Sequence, residues 1–133
     1  NYGSNNVGVL LNAGNGTFLS QTVYATSTGP IFVAVGDVNG DNMPDIVVTN
    51  TGANNVGVLM NNGSGSFLAQ VTYAAGTNPQ PVRIADVNSD NRPDIIVGNG
   101  GSTNIGVFLN AGSGTFLAQA AYSTGSNPWA ISV

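Results

Sequence analysis

Asn6-Val7-Gly8-Val9-Leu10-Leu11-Asn12 returns as Asn55-Val56-Gly57-Val58-Leu59-Met60-Asn61 and again as Asn104-Ile105-Gly106-Val107-Phe108-Leu109-Asn110, a step of 49 residues each time. A period of 20 to 50 residues is the signature of a repeat architecture, in which one supersecondary unit is copied and stacked. The same step carries Phe18 to Phe67 and Phe116, Gln21 to Gln70 and Gln119, Tyr24 to Tyr73 and Tyr122, and Pro30 to Pro79 and Pro128, with no gap. Within one period four short segments read as strands, each β-branched or alternating and bounded by Gly, Asn or Pro. They are Phe32 to Val38, Asp45 to Thr49, Asn55 to Asn61 and Ser66 to Tyr73. Between the third and fourth, Asn12-Ala13-Gly14-Asn15-Gly16 and its copies supply the Gly and Asn that a hairpin turn needs for positive φ. Phe18, Phe67 and Phe116, which follow that turn, are expected in the core. Four antiparallel strands per repeat is the pattern of a β-propeller blade.

The chain is therefore expected to be all-β, with four-stranded antiparallel blades of propeller type and about 2.7 repeats in its 133 residues. As one repeat domain, 1-133, it divides into a partial blade at 1-28 (strands three and four), blades at 29-77 and 78-126, and the first strand of a further blade at 127-133. Ring closure usually takes four to eight blades, so this chain cannot close alone. It is expected to be either a piece of a longer propeller or a protomer that associates with its own copies, since unpaired edges invite strand addition.

Composition agrees and narrows the chemistry. With 41% hydrophobic and only 6% charged residues, the chain lies far from the signature of disorder. Nineteen Gly and six Pro oppose long helices. There is no His, Cys, Lys or Glu, which removes Ser-His-Asp and Cys-His nucleophiles, Schiff-base lysines and thiolate or imidazole metal sites. No enzymatic activity is expected. Two Arg and a net charge of -4 give no basic patch for nucleic acid or anionic lipid. No apolar run approaches the roughly 20 residues of a membrane-spanning helix.

All six acidic residues fall in two windows, Asp37-Val38-Asn39-Gly40-Asp41-Asn42-Met43-Pro44-Asp45 and Asp86-Val87-Asn88-Ser89-Asp90-Asn91-Arg92-Pro93-Asp94, each joining strand one to strand two of its repeat. Two carboxylates ~4 Å apart repel by ~4 kcal/mol at an effective dielectric near ~20, and a hard divalent cation relieves that repulsion. Calcium takes six to eight oxygens. Each window offers Asp37, Asn39, Asp41 and Asp45, or Asp86, Asn88, Asp90 and Asp94, together with the main-chain carbonyl of Met43 or Arg92. Magnesium, with its stricter octahedral demand, suits the set less well. The loops are not EF-hands, because Val48 and Val97 stand where the bidentate Glu would be. Asn42 and Asn91 occupy the position where Gly is common, and Asn tolerates left-handed backbone. The expectation is two calcium ions per chain, the alternative being a metal-free hairpin rich in Asx turns.

The Asp-Val-Asn-Gly-Asp-Asn-x-Pro-Asp window followed by Ile-Val-Val, and then Asn-Val-Gly-Val-Leu-Leu-Asn-x-Gly-x-Gly-x-Phe, resembles the FG-GAP/VCBS repeat family. Members are calcium-binding propeller blades, as in the integrin α-subunit head and some fungal lectins. The resemblance spans essentially the whole chain and implies calcium ligands at Asp37, Asn39, Asp41 and Asp45, and at Asp86, Asn88, Asp90 and Asp94. It implies an extracellular or cell-surface module with a structural or adhesive role, partnered by extracellular proteins, glycans or further blades. The sequons at Asn15 and Asn62 point the same way if the source is eukaryotic. Two other readings stand beside it: a carbohydrate-binding lectin, with Asn78, Gln80 and Trp129 as candidates, and a designed or symmetrised propeller fragment, suggested by the unbroken 49-residue spacing.

Overall fold

A computed structural model describes all residues from Asn1 to Val133. The strands are β1 (Asn6–Val9), β2 (Thr22–Ala25), β3 (Pro30–Gly36), β4 (Asp45–Asn50), β5 (Asn55–Leu59), β6 (Val71–Ala74), β7 (Pro79–Ala85), β8 (Asp94–Asn99), β9 (Asn104–Phe108), β10 (Asn110–Gly112), β11 (Thr115–Phe116) and β12 (Ala120–Ser123). They form a two-stranded sheet β1-β2, a four-stranded sheet β3-β4-β5-β6, a four-stranded sheet β7-β8-β9-β12 and a small hairpin β10-β11. Every pairing is antiparallel. Two 3₁₀ turns, Tyr2–Ser4 and Thr51–Ala53, lead into β1 and β5. No helix is long and apolar enough to cross a membrane. The first unit thus holds two strands, the second four, and the third a four-stranded sheet with the small β10-β11 hairpin besides.

Two of the expected boundaries shift for identifiable reasons. Val38 lies outside the first strand of its unit because the Asp45 carboxylate takes its N–H (2.9 Å). The fourth strand does not run from Ser66 to Tyr73. Around the hairpin tip Asn62 and Leu68 donate to Ser66 and Met60, a lone bridge joins Asn61 to Phe67, and a regular ladder forms only at Val71–Ala74. Residues 127–133, expected as a further first strand, form none. In the second and third units the first strand takes its ladder from the second.

The central strands explain the stacking. β4 and β8 are buried at all six positions, which is why Ile46-Val47-Val48 and Ile95-Ile96-Val97 are continuous apolar runs instead of alternations. Val47 joins Val56, Val58, Val82, Ile95, Val97 and Phe108 in the core between the second and third units. Ile46, Val48 and Leu59 point the other way, towards Val7, Val9 and Tyr24 of the first. Aromatic pairs repeat across the joints: Tyr24 meets Phe67 edge to face at 5.3 Å, and Tyr73 meets Phe116 at 5.5 Å. The core expectation therefore holds for Phe116 (8% exposed), holds partly for Phe67 and is not met by Phe18 (63% exposed), on which no tyrosine packs.

The repeated glycine of Asn-Val-Gly-Val is explained by the repeated glutamine. A Cβ on Gly57 would lie 1.5 Å from Nε2 of Gln70, and Gly8 and Gly106 stand in the same relation to Gln21 and Gln119. Lying across the glycine, Gln70 reaches the preceding linker and accepts the N–H of Ser27 (2.8 Å), as Gln119 accepts that of Gly76 (3.1 Å). Asn5 and Asn54 fasten the same joints by accepting from Gly29 (3.0 Å) and Asn78 (2.9 Å). Gly57→Ala should therefore displace Gln70 and orphan Ser27, and Gln70→Ala should cost about 1–3 kcal/mol for the unpaired amide. Denaturant unfolding of the double variant should show a loss smaller than the sum of the two by about 0.5 kcal/mol or more, since one contact is removed twice. Additive losses would refute the contact.

Candidate functional site

The two acidic windows form matching loops at the β3–β4 and β7–β8 turns. Position one organises each. In the first loop, Oδ1 of Asp37 accepts the N–H groups of Gly40 (2.7 Å), Asn39 (3.2 Å) and Asp41 (3.3 Å), and Oδ2 accepts that of Asn42 (2.8 Å). In the second, Asp86 accepts from Ser89, Asn88, Asp90 and Asn91 at 2.7 to 3.3 Å. Asn39 and Asn88 continue the curl by accepting from Asp41 (2.9 Å) and Asp90 (3.0 Å), whose Oδ1 atoms accept in turn from Met43 (2.8 Å) and Arg92 (2.9 Å). Such a turn requires left-handed residues, and Asn42 and Asn91 both sit at φ 64°, where Asn is among the few tolerated side chains.

Position nine does something the spacing alone does not reveal. Asp45 and Asp94 are fully buried. One oxygen of Asp45 accepts Val38 N–H inside the loop (2.9 Å), and the other accepts Asn61 N–H at the end of β5 (2.8 Å). Asp94 does the same with Val87 (3.0 Å) and Asn110 (2.8 Å). The last carboxylate therefore latches the loop to the hairpin of its own unit. Asn110 carries the link into the neighbouring unit, donating to the Val38 carbonyl (2.8 Å) as well as to that of Pro93 (2.8 Å). The first loop is buttressed in this way, with Val38 in the core, whereas Val87 in the second is 46% exposed.

Electrostatics separates the carboxylates. Desolvation is the largest single influence on Asp37 and acts upward, but four backbone amides together hold its carboxyl below the ordinary 3.8. Desolvation also leads at Asp45 and is reinforced by the charges of Asp41 and Asp37, so this carboxyl is raised despite its two amide donors. Asp90 is lowered, first by the hydrogen bond from Arg92, whose guanidinium approaches it at 2.7 Å. Met43 stands in place of Arg92 in the first loop.

No three carboxylates come close enough together to form a cage for a cation by themselves, and the loop amides take up many of the carboxylate lone pairs. The donor set nonetheless suits a hard cation, being entirely oxygen, and the influence of Asp37 and Asp41 on Asp45 reports mutual repulsion that such an ion would relieve. The remaining candidates lie elsewhere. Asn15 and Asn62 are exposed on the hairpins following β1 and β5. Asn78 has its N–H engaged by Asn54, Gln80 is buried with its carbonyl accepting from Thr49 (2.8 Å), and Trp129 is 64% exposed. None of these three lines any of the four surface cavities.

Asp45→Asn or Asp94→Asn should destabilise the fold by about 1–3 kcal/mol, because an amide can accept through only one of the two atoms and leaves a buried N–H unpaired. Equilibrium unfolding in urea measures this. Asp37, whose folded-state pKa is lowered, contributes stability that is fully present above 3.8 and lost as pH falls through its lowered value. Asp37→Asn should accordingly flatten the acid limb of the stability profile.

No curated protein matches the chain. The FG-GAP-like repeat matches three times, over residues 1–48, 37–97 and 86–133, so that every residue is covered and each internal match begins at the first aspartate of a loop. With two acidic loops 49 residues apart and antiparallel sheets stacked in step with them, the chain belongs to the FG-GAP-like repeat family.

Proposed function

We propose that this chain is a non-catalytic, calcium-stabilised scaffold module of an extracellular β-propeller, with a structural or adhesive role. The observation that carries the reading is the placement of all six acids in two equivalent loops, each tied by its last carboxylate to its own hairpin. Calcium bound there would rigidify the point where strand one, strand two and the β5 or β9 hairpin meet. The side-chain oxygens of Asp37, Asn39, Asp41 and Asp45, with the Met43 carbonyl, would hold one ion. Asp86, Asn88, Asp90 and Asp94, with the Arg92 carbonyl, would hold the other. The propeller reading is supported by the antiparallel order of the two complete sheets and by their face-to-face stacking. Family membership supports the extracellular setting.

Calorimetry on chelator-stripped protein should find about two calcium sites per chain. A ligand that binds only the folded state stabilises it by RT ln(1 + [L]/Kd), about 2.7 kcal/mol at roughly a hundredfold excess over Kd. Chelator should therefore lower the melting temperature, and Asp41→Ala or Asp90→Ala should each remove part of the shift. The loops should differ in affinity: Arg92 already neutralises Asp90, so the second should bind more weakly and Arg92→Met should strengthen it. Melting that is indifferent to calcium, with no heat of binding, would refute the calcium reading.

A further inference from the structure

We propose that Asn15 is a site of spontaneous deamidation, converted through a cyclic imide to aspartate and isoaspartate, and that the fold assists this reaction there while denying it to the other Asn-Gly pairs. Asn precedes Gly at four places: Asn15-Gly16, Asn39-Gly40, Asn62-Gly63 and Asn99-Gly100. The reaction begins when the glycine nitrogen, having given up its proton, attacks Cγ of the asparagine. The new C–N bond closes a five-membered imide and ammonia leaves. Water then opens either of the two imide C–N bonds. Glycine favours the attack because no Cβ shields its nitrogen. Neither calcium nor a partner takes part, so the inference is independent of the function proposed above.

Three of the four glycine nitrogens are held back. Gly40 N–H donates to the Asp37 carboxylate (2.7 Å), Gly63 N–H to Oδ1 of Asn61 (2.9 Å) and Gly100 N–H to the Asn78 carbonyl (3.0 Å). Each acceptor favours the protonated amide, and at Gly40 the acceptor is itself an anion. Asn99 is buried besides. Asn62 is as open to solvent as Asn15, so exposure does not separate these two; the glycine N–H does. Gly16 N–H has no hydrogen-bond partner. Asn15 is exposed, as are Ser64 and Ser113 one and two periods on, so its openness belongs to the position in the hairpin. Its Oδ1 accepts both the N–H (3.1 Å) and the hydroxyl (2.6 Å) of Thr17. The ring closed by the first of these bonds folds the side chain back over the peptide that must attack it. As the Gly16 nitrogen adds to Cγ, negative charge gathers on Oδ1, where two donors already point. The isoaspartyl product carries an extra methylene in the main chain and a free α-carboxylate at the hairpin tip.

Asn15-Gly16-Thr17 also reads as a sequon, and a glycan would sit on the nitrogen that must leave, so the test uses unglycosylated protein from bacterial expression. The folded chain and a sample unfolded in guanidinium chloride are aged in mildly alkaline buffer. Peptide mapping by mass spectrometry, with isoaspartyl methyltransferase labelling, follows each pair. Relative to each pair's own rate in the unfolded sample, Asn15 should lead the other three in the folded chain by at least about tenfold, the factor set by one retained amide hydrogen bond. Thr17→Val should slow conversion of Asn15 several-fold in the folded chain and leave the unfolded rate unchanged. Thr17→Ser, which keeps the hydroxyl, should convert as the wild type does. A folded chain in which Asn15 is stable, another pair that keeps pace with it, or a Thr17→Val variant that reacts like the wild type would each overturn the proposal.

Discussion

A four-stranded sheet whose central strand is apolar on both sides can be satisfied only by a neighbour on each face. β4 meets this constraint, with Val47 packed towards the third unit and Ile46 and Val48 towards the first. Much of the rest follows from it. The valines and isoleucines exclude water from two interfaces at once, so the hydrophobic core of this molecule lies between units and not within one. A single unit would expose both of its faces, which is why units of this kind are copied and stacked. The step of 49 residues is the chemical record of that demand: a residue facing forward in one unit must meet a fixed residue facing backward in the next.

Polar groups set the spacing and angle that the apolar contact leaves free. Gln70 and Gln119 lie flat across a glycine of their own sheet and capture an amide of the preceding linker, and Asn5 and Asn54, from the earlier unit of each joint, accept a second amide of that linker. Burying a linker amide without a partner would cost about 1–3 kcal/mol, so these side chains make the joint specific as well as closed. The glutamine requires the glycine beneath it, because a Cβ there would occupy the space that the glutamine side chain fills.

The acidic loops occupy equivalent turns of the second and third units, β3–β4 and β7–β8, and belong to the same logic. Their first aspartate folds the turn by collecting its amides, and their last aspartate, buried, ties the turn to the hairpin beyond. Through Asn110 the first loop is also held by the following unit, while the second has no such support and Arg92 lies against its Asp90. Two loops of nearly the same sequence thus sit in different surroundings, and the difference arises from their place in the stack and from one side chain.

Much of the architecture was legible in the residues alone. The period, the four strand segments, the Asn and Gly turns and the grouping of acids are local or periodic properties, and alternation, β-branching and φ requirements act over a few residues at a time. What local pattern could not decide was which partner each segment would find. Ser66 to Gln70 reads as strand, yet its backbone serves a wide hairpin held by Asn62–Ser66 and Leu68–Met60 hydrogen bonds and a lone Asn61–Phe67 bridge. Residues 127–133 read as a first strand, yet form no ladder. Phe18, Phe67 and Phe116 are the same residue in the same motif, and their exposure runs from 63% to 8% according to whether a tyrosine of the preceding unit lies over them. The ninth-position aspartates were visible as loop carboxylates, but their role as buried latches depends on an amide 16 residues further along the chain. The sequence by itself determined the repeating unit and its chemistry, because these are written within one period. Tertiary structure decided which copies are covered, latched or exposed, because burial depends on the neighbour and not on the motif.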